Sequence, residues 1–239
     1  LSRRAGREGL DMIIATCRTL NEERNIERFC QYYSEIADLI LIADGGSQDH
    51  TISLAQQFPK VHVENFEKTV ERSGVVRNPH GEHMNFLWNW AIRENAEWII
   101  FDDCDSIPNI YMRQDLPLLF SNHDINTIKV RRLYLYKDQG YFHNMSFAGY
   151  ARWAWRSDIP IRADESDPWQ HCVISPQEIE NEFLVKPPAC LLHFSWPDDE
   201  EIQRKADFYK VAKELPDDGT WHPTKFGGEL KPIPDWAKL

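Results

Sequence analysis

Cysteine is scarce in this chain. Five stand in 239 residues, at Cys17, Cys30, Cys104, Cys172 and Cys190, with no C-x-x-C spacing among them. An odd count without that spacing excludes a disulfide framework or a cysteine zinc site and points to buried thiols in a reducing compartment. Positive charge is also short: 27 Lys and Arg face 38 Asp and Glu, a formal net charge of −11. Nucleic acid or an anionic membrane would need a basic footprint, so neither is expected as a partner. Long apolar runs are missing too, and none approaches the about 18 residues of a membrane span. The first ten residues, "LSRRAGREGL", are basic but lack a signal-peptide core. The chain starts at Leu1 rather than Met, as a fragment would. The expected location is cytoplasmic.

What is present is an ordinary globular composition, 42 % hydrophobic and 27 % charged, at a length that suits one domain with a real core. The first half alternates strand and helix signals. "MIIATC" (12–17), "LILIA" (39–43), "VHVENF" and "EWIIF" read as short buried strands. Between them, Asn21 is a plausible helix N-cap with Glu22 and Glu23 in the first turn, where the helix dipole favours acids. Asp49 can cap a second helix and Phe86, Leu87, Trp90 and Ala91 mark a third. Alternation at this pace predicts an α/β domain with a largely parallel sheet. The second half is less regular: a long strand over 125–136, a short one over 189–194, a late helix through Ile202, Ala206 and Tyr209, and an aperiodic tail from Leu215.

The densest chemistry is "FDDCDSIP" (101–108), three aspartates in four residues directly after an apolar strand. Alternate side chains of an extended segment share a face, so Asp103 and Asp105 can meet one ion while Asp102 and Cys104 turn elsewhere. Paired hard carboxylates suit Mg²⁺ or Mn²⁺; an acidic strand-end turn, with an aspartate capping a helix near Pro108, is the plainer alternative. Ligands of open α/β sheets gather at the carboxyl ends of strands, and "DGGSQD" (44–49) ends the second strand there. Its adjacent Gly45 and Gly46 permit a tight turn, and Asp44 can accept hydrogen bonds from a base or ribose, or simply cap the turn.

Four landmarks in order, "TLNEERNI" (19–26), "ADGGSQDHT" (43–51), "HMNFLWNWAI" (83–92) and "WIIFDDCDSIP" (98–108), resemble those of family-2 glycosyltransferases, most closely bacterial lipopolysaccharide-core-type members. The likeness covers about the first 110 residues. It implies a GT-A fold: a Rossmann-like, mostly parallel sheet flanked by helices, here with an irregular C-terminal tail. The expected organisation is a single domain over 1–239, with a nucleotide-binding half at 11–108, an acceptor half at 109–195, and a C-terminal helix and tail at 196–239. By the resemblance Asp44 would contact a nucleotide base, typically uracil. Thr16 to Thr19 would line the nucleotide pocket, and Asp103 and Asp105 would be the D-x-D pair that holds Mn²⁺ or Mg²⁺ against a UDP-sugar. His193, at the end of "PPACLLHF", would be a further metal or diphosphate ligand, or else a satisfied core histidine.

The chain departs from the family where a basic residue commonly precedes the asparagine of the third landmark, because Met84 precedes Asn85. The nucleotide's cation must then come from Arg72, Arg77 or His83. His80 and His83 form H-x-x-H without a third partner nearby in sequence, which favours a loop-and-cap role over a metal site. Arg204 and Lys205 lie beyond His193 and either face the diphosphate or form a solvated helix face. Displacement of a nucleoside diphosphate by the hydroxyl of a glycan or other acceptor needs a base. The acidic stretch "IRADESDPW" (161–169) supplies Glu165 first and Asp164 second, with Asp167 a turn residue, unless the whole stretch is an exposed loop. Trp153, Trp155 and Trp169 either stack on sugars or pack the core. The expected reaction is metal-dependent transfer with inversion. A nucleotidyltransferase would show a Gly-rich basic loop after the first strand, whereas "TCRTLNEE" has no glycine. A non-catalytic nucleotide-sugar binding module is the other alternative.

Overall fold

The computed structural model describes residues 12–72, 74–137, 140–142, 150–166, 174–176, 178–212 and 230–233. Asp167, Trp169, Cys172, the Arg72 side chain and most of the tail from Leu215 lie outside the described residues.

The predicted strands of the first half form: β1 (Ile13–Thr19) is followed by α1 (Ile26–Ile36) and β2 (Leu39–Asp44). Helix α2 (Thr51–Ala55) leads to β3 (Val61–Asn65), and the hairpin of β4 (Val70–Arg72) and β5 (Val75–Arg77) leads to α3 (His80–Arg93). Next come β6 (Trp98–Phe101), β7 (Ser106–Pro108) and α4 (Ile110–Phe120). The second half holds β8 (Thr127–Tyr136), β9 (Gly140–Phe142), β10 (Tyr150–Arg156), β11 (Arg162–Ala163), β12 (Ile174–Ser175), β13 (Glu182–Leu184) and β14 (Leu191–Trp196). Helix α5 (Asp199–Ala212) and β15 (Leu230–Lys231) complete it.

The main sheet runs β15-β9-β8-β10-β6-β1-β2-β3, with β13 and β14 joined to β8 and β7 joined to β14. Its first-half strands β6, β1, β2 and β3 are parallel, and β10 inserts antiparallel between β6 and β8. Parallel strands expose their carboxyl ends on one edge, so Thr19, Asp44 and the segment after Phe101 come together there.

Helices cover both faces of these strands. One core packs Phe29, Cys30 and Tyr33 of α1 against Ala15, Ile40, Ile100 and Trp153; the other packs Leu87, Trp90 and Ala91 of α3 against Ile14, Leu41, Ile99 and Trp155. Period-two alternation along β1, β2 and β6 produces the two opposed sets. Trp153 and Trp155 are 0 % and 1 % exposed, so neither can stack on a sugar; both pack the core. The described cysteines Cys17, Cys30, Cys104 and Cys190 are free, buried thiols. Among the described residues no helix is long and apolar enough to cross a membrane.

Candidate active site

The four aspartate-motif residues lie not on an extended strand, as expected, but in a turn closed by the Ser106 N–H donating to the Asp103 carbonyl at 2.9 Å. Cys104 is buried, and Asp102 points inward with its side chain fully covered. Asp103 and Asp105 point to the sheet edge. The third member arrives from 88 residues further on. Strand β7, which starts directly after Asp105, pairs antiparallel with β14 so that His193 lies opposite Ser106, and the Phe194 N–H donates to the Asp105 carbonyl at 2.7 Å. That register sets His193 Nδ1 3.1 Å from Asp105 Oδ1, with the imidazole edge-on to Tyr134. One ligand atom from each of Asp103, Asp105 and His193 falls within 4.8 Å of the others.

This donor set, two hard carboxylates and one imidazole, fits a divalent cation such as Mn²⁺. His193 Nδ1 strengthens the fit. It is buried and lies against Asp105 Oδ1, so imidazole and carboxylate already converge on one point.

The chain also supplies its own positive charge. Arg18 Nη2 lies 3.2 Å from Asp103 Oδ1, Arg132 Nη1 lies 3.2 Å from Asp103 Oδ2, and Lys205 Nζ lies 3.4 Å from Asp105 Oδ2. Burial opposes ionisation of Asp103, but Arg132 and then Arg18 outweigh it and hold the carboxyl well below its usual range. Burial is likewise overcome at Asp105, by His193 and Lys205. Both groups are therefore carboxylates at any physiological pH. Glu22, half-buried, goes the other way: desolvation first and the Asp105 charge second push it up to about 7.

The other sequence-predicted residues divide sharply. Asp44 is fully buried. Its Oδ1 accepts from Thr19 Oγ1 at 2.9 Å and Ser47 Oγ at 2.6 Å, and its Oδ2 from the N–H groups of Gly46 at 2.9 Å and Ser47 at 2.8 Å. A carboxylate offers about four acceptor positions, so a base could reach Asp44 only by displacing one of these donors. Thr16 is buried and donates to the Ile100 carbonyl at 2.8 Å, tying β1 to β6. Thr16 and Thr19 thus spend their hydroxyls inside the fold.

The first two landmarks bind each other. Asn21 N–H donates to Ser47 Oγ and Asn21 Oδ1 accepts from Gln48 N–H, both at 2.8 Å, while Glu22 N–H donates to Thr51 Oγ1 at 2.7 Å. These bonds draw residues 21–23 into the loop. The N-cap of α1 is accordingly Asn25 rather than Asn21, whose φ of 56° is not helical.

Of the three candidate nucleotide cations, His83 drops out. It is buried and stacked on Phe66 at 4.2 Å, with Nε2 2.9 Å from the Ala43 carbonyl oxygen. Burial, then the charge of Arg18, lowers its pKa to about 3, so it is neutral. Arg77 is half-buried and donates from Nε to the Asn78 carbonyl at 3.2 Å. Arg204 is exposed and paired with Glu201, the solvated-face alternative, whereas Lys205 turns to Asp105. Arg18 and Arg132 escaped the sequence reading. The "KVRRLYLY" run held a signal for the second, since one of two adjacent arginines in an apolar strand must face inward.

The acidic loop is anchored on α3. Asn85 exchanges two hydrogen bonds with the Ala163 backbone, at 2.9 and 2.8 Å, and donates to Glu165 Oε1 at 2.6 Å. Gly81 lets the helix approach closely, because a Cβ there would sit 2.1 Å from the Asp164 carbonyl oxygen. Asp164 is exposed and caps Ser166, accepting from its N–H at 2.8 Å and its hydroxyl at 2.9 Å. Glu165 is exposed, and the asparagine of the third landmark aims it.

No protein-family model and no curated protein sequence matches the chain. Solved structures do. S. aureus TarS 1-349 in complex with UDP-GlcNAc is similar over 83% of this chain and 64% of that one, at 12% identity and a TM-score of 0.55. S. aureus TarS itself is similar over 83% of this chain and 39% of that one, at 13% identity and a TM-score of 0.53. Glucosyl-3-phosphoglycerate synthase from Mycobacterium tuberculosis, with Mn²⁺, UDP and glucosyl-3-phosphoglycerate, matches over 52% and 44%, at 22% identity and a TM-score of 0.38. The chain spans less than two thirds of each of these proteins. Likeness at these identities concerns architecture, and it agrees with the sheet order and edge geometry: the chain has the GT-A glycosyltransferase fold.

Proposed function

We propose that the chain is a metal-dependent, inverting glycosyltransferase of family 2, moving a sugar from a UDP-sugar to a hydroxyl of a glycan or other acceptor. The observation that carries this reading is the convergence of Asp103, Asp105 and His193 within 4.8 Å at the carboxyl edge of a GT-A sheet. TarS, of the same architecture, is known in complex with UDP and with UDP-GlcNAc. The likeness to lipopolysaccharide-core-type members rests on the four landmarks alone.

When bound, a divalent cation at this centre would offset the charge that builds on a departing diphosphate. The chain's own part is to hold three ligands, to present Arg18 and Lys205 beside them, and to keep the Asp44 loop shaped for a nucleoside. Asp44 and Thr19 act on the nucleotide through that loop, and Arg77 at the end of β5 supplies a cation near it. Glu165, or Asp164 failing it, takes the proton from the acceptor hydroxyl. In this reading 11–108 is the nucleotide-binding half, 109–195 the acceptor half and 196–239 a C-terminal helix and tail of one domain.

The test is a panel of nucleotide sugars with Mn²⁺ or with EDTA, followed by melting temperature and by release of nucleoside diphosphate on addition of acceptor sugars. A ligand that binds only the native state raises the melting temperature, and the reading expects that rise only with metal. Binding without release under any acceptor would leave a non-catalytic module. The first-formed product should show the anomer opposite to the donor by NMR; the same anomer would discard the single-displacement mechanism.

A further inference from the structure

Asp102 takes no part in the metal triad, yet its side chain is fully buried beneath it. It accepts four hydrogen bonds: from Tyr33 Oη, from Trp153 Nε1 at 2.9 Å, from Arg132 Nη2 at 2.9 Å and from the Asp103 N–H at 2.9 Å. A buried carboxylate next to that of Asp103 is electrostatically adverse unless its charge is matched. The match is visible in Arg132. This guanidinium comes from the middle of β8, on the same face as Tyr134, and its other terminal nitrogen reaches Asp103 Oδ2 at 3.2 Å. Planar and permanently charged, it can bridge two carboxylates in fixed geometry.

Without Asp102, the whole charge of Arg132 would fall on Asp103 and compete with any cation there. With Asp102, the guanidinium is shared between two carboxylates, so less of its charge falls on Asp103. We propose that Asp102 is the counter-ion of Arg132, and that the pair positions Asp103 while leaving the Asp103 charge available to a divalent cation. The inference rests on the metal reading above. It differs from a packing role, in which Asp102 would serve only to satisfy Tyr33 and Trp153. An asparagine oxygen could accept from both of those, with its amide nitrogen turned toward Arg132 and the Asp103 N–H.

The difference can be measured without any sugar, by Mn²⁺ titration of the whole chain followed by electron paramagnetic resonance of the free ion. Asp102→Asn keeps a hydrogen-bond acceptor and removes the charge, so it should weaken Mn²⁺ binding at least about tenfold, the scale on which partners of metal ligands act. Adding Arg132→Gln to Asp102→Asn should bring the affinity back to within about threefold of the parent, because the unmatched cation is gone. Tyr33→Phe removes a packing hydrogen bond and keeps the pair; it should lower the melting temperature and leave Mn²⁺ affinity within about twofold. A double variant no better than Asp102→Asn would overturn the proposal. So would a Tyr33→Phe variant that loses Mn²⁺ affinity at least about tenfold, an outcome that can be read even if Asp102→Asn does not fold. A parent chain that binds no Mn²⁺ removes the metal reading and this inference together, whereas a parent that binds it with unchanged variants removes this inference alone.

Discussion

Two titratable residues, one buried and one half-buried, pull the stability of this protein in opposite directions. His83 takes its proton at about 6.5 when unfolded but only at about 3 in the fold, so its contribution is complete above pH 6.5 and is lost as pH falls. Glu22 keeps its proton up to about 7 in the fold and only to about 4.5 unfolded, so its contribution is complete below 4.5 and is lost as pH rises. Between these limits each slope is at most about 1.4 kcal/mol per pH unit, and they oppose one another. Urea midpoints should therefore rise with pH in Glu22→Gln and fall with pH in His83→Gln. Parallel profiles would show that neither residue is perturbed as described. Glu165 carries a prediction about rate. Loss of a general base costs about 10²–10⁴-fold, so Glu165→Gln should reduce turnover by that much and leave donor affinity nearly intact. A fully active variant would transfer the role to Asp164. The Asp44→Ala variant is informative in another way: if the loop serves the nucleoside, UDP should weaken more than pyrophosphate, and equal weakening would mark a structural turn.

Among the elements, the close contact of α3 with the acidic loop is the point most open to attack. In Gly81→Ala the new Cβ would meet a backbone carbonyl, which cannot rotate away as a side-chain tip can. Overpacking of this kind costs about 1–3 kcal/mol. The loop should move off the helix, lowering turnover while UDP affinity stays near that of the parent. Measuring both separates the two halves of the site, and a loss of UDP affinity as large as the loss of turnover would contradict the anchoring role. How legible each element was follows from how local its cause is. Strands β1, β2, β3 and β6 are short apolar runs, and their period could be read directly. The start of α1 could not, because Asn21 is held by Ser47 and Gln48 across the loop rather than by its own helix. Helix α4 was read only as a helix near Pro108 capped by an aspartate; its cap is Asn109, whose Oδ1 accepts from Met112 N–H at 3.0 Å.

Across the whole molecule, the site combines what a local motif shows with what only strand register shows. Asp103 and Asp105 were legible as a pair from their spacing, although a turn closed by Ser106 N–H on the Asp103 carbonyl, rather than strand alternation, holds them. His193 was legible only as a candidate, since its meeting with Asp105 depends on β7 pairing with β14. Arg18, Arg132 and Lys205 reach the aspartates across 85, 29 and 100 residues of chain, and no spacing rule connects them. They also answer what neutralises so dense a cluster of acids: in part the chain's own cations, so that a divalent ion has to enter an already balanced centre. The central claim is that this balanced centre binds a sugar nucleotide through metal. Calorimetric titration of UDP into the protein, with Mn²⁺ and again with EDTA, tests it most directly, with Asp105→Asn as the control. The account predicts binding that requires Mn²⁺ and disappears in the variant while its melting temperature stays near that of the parent; UDP affinity unchanged by EDTA would contradict it.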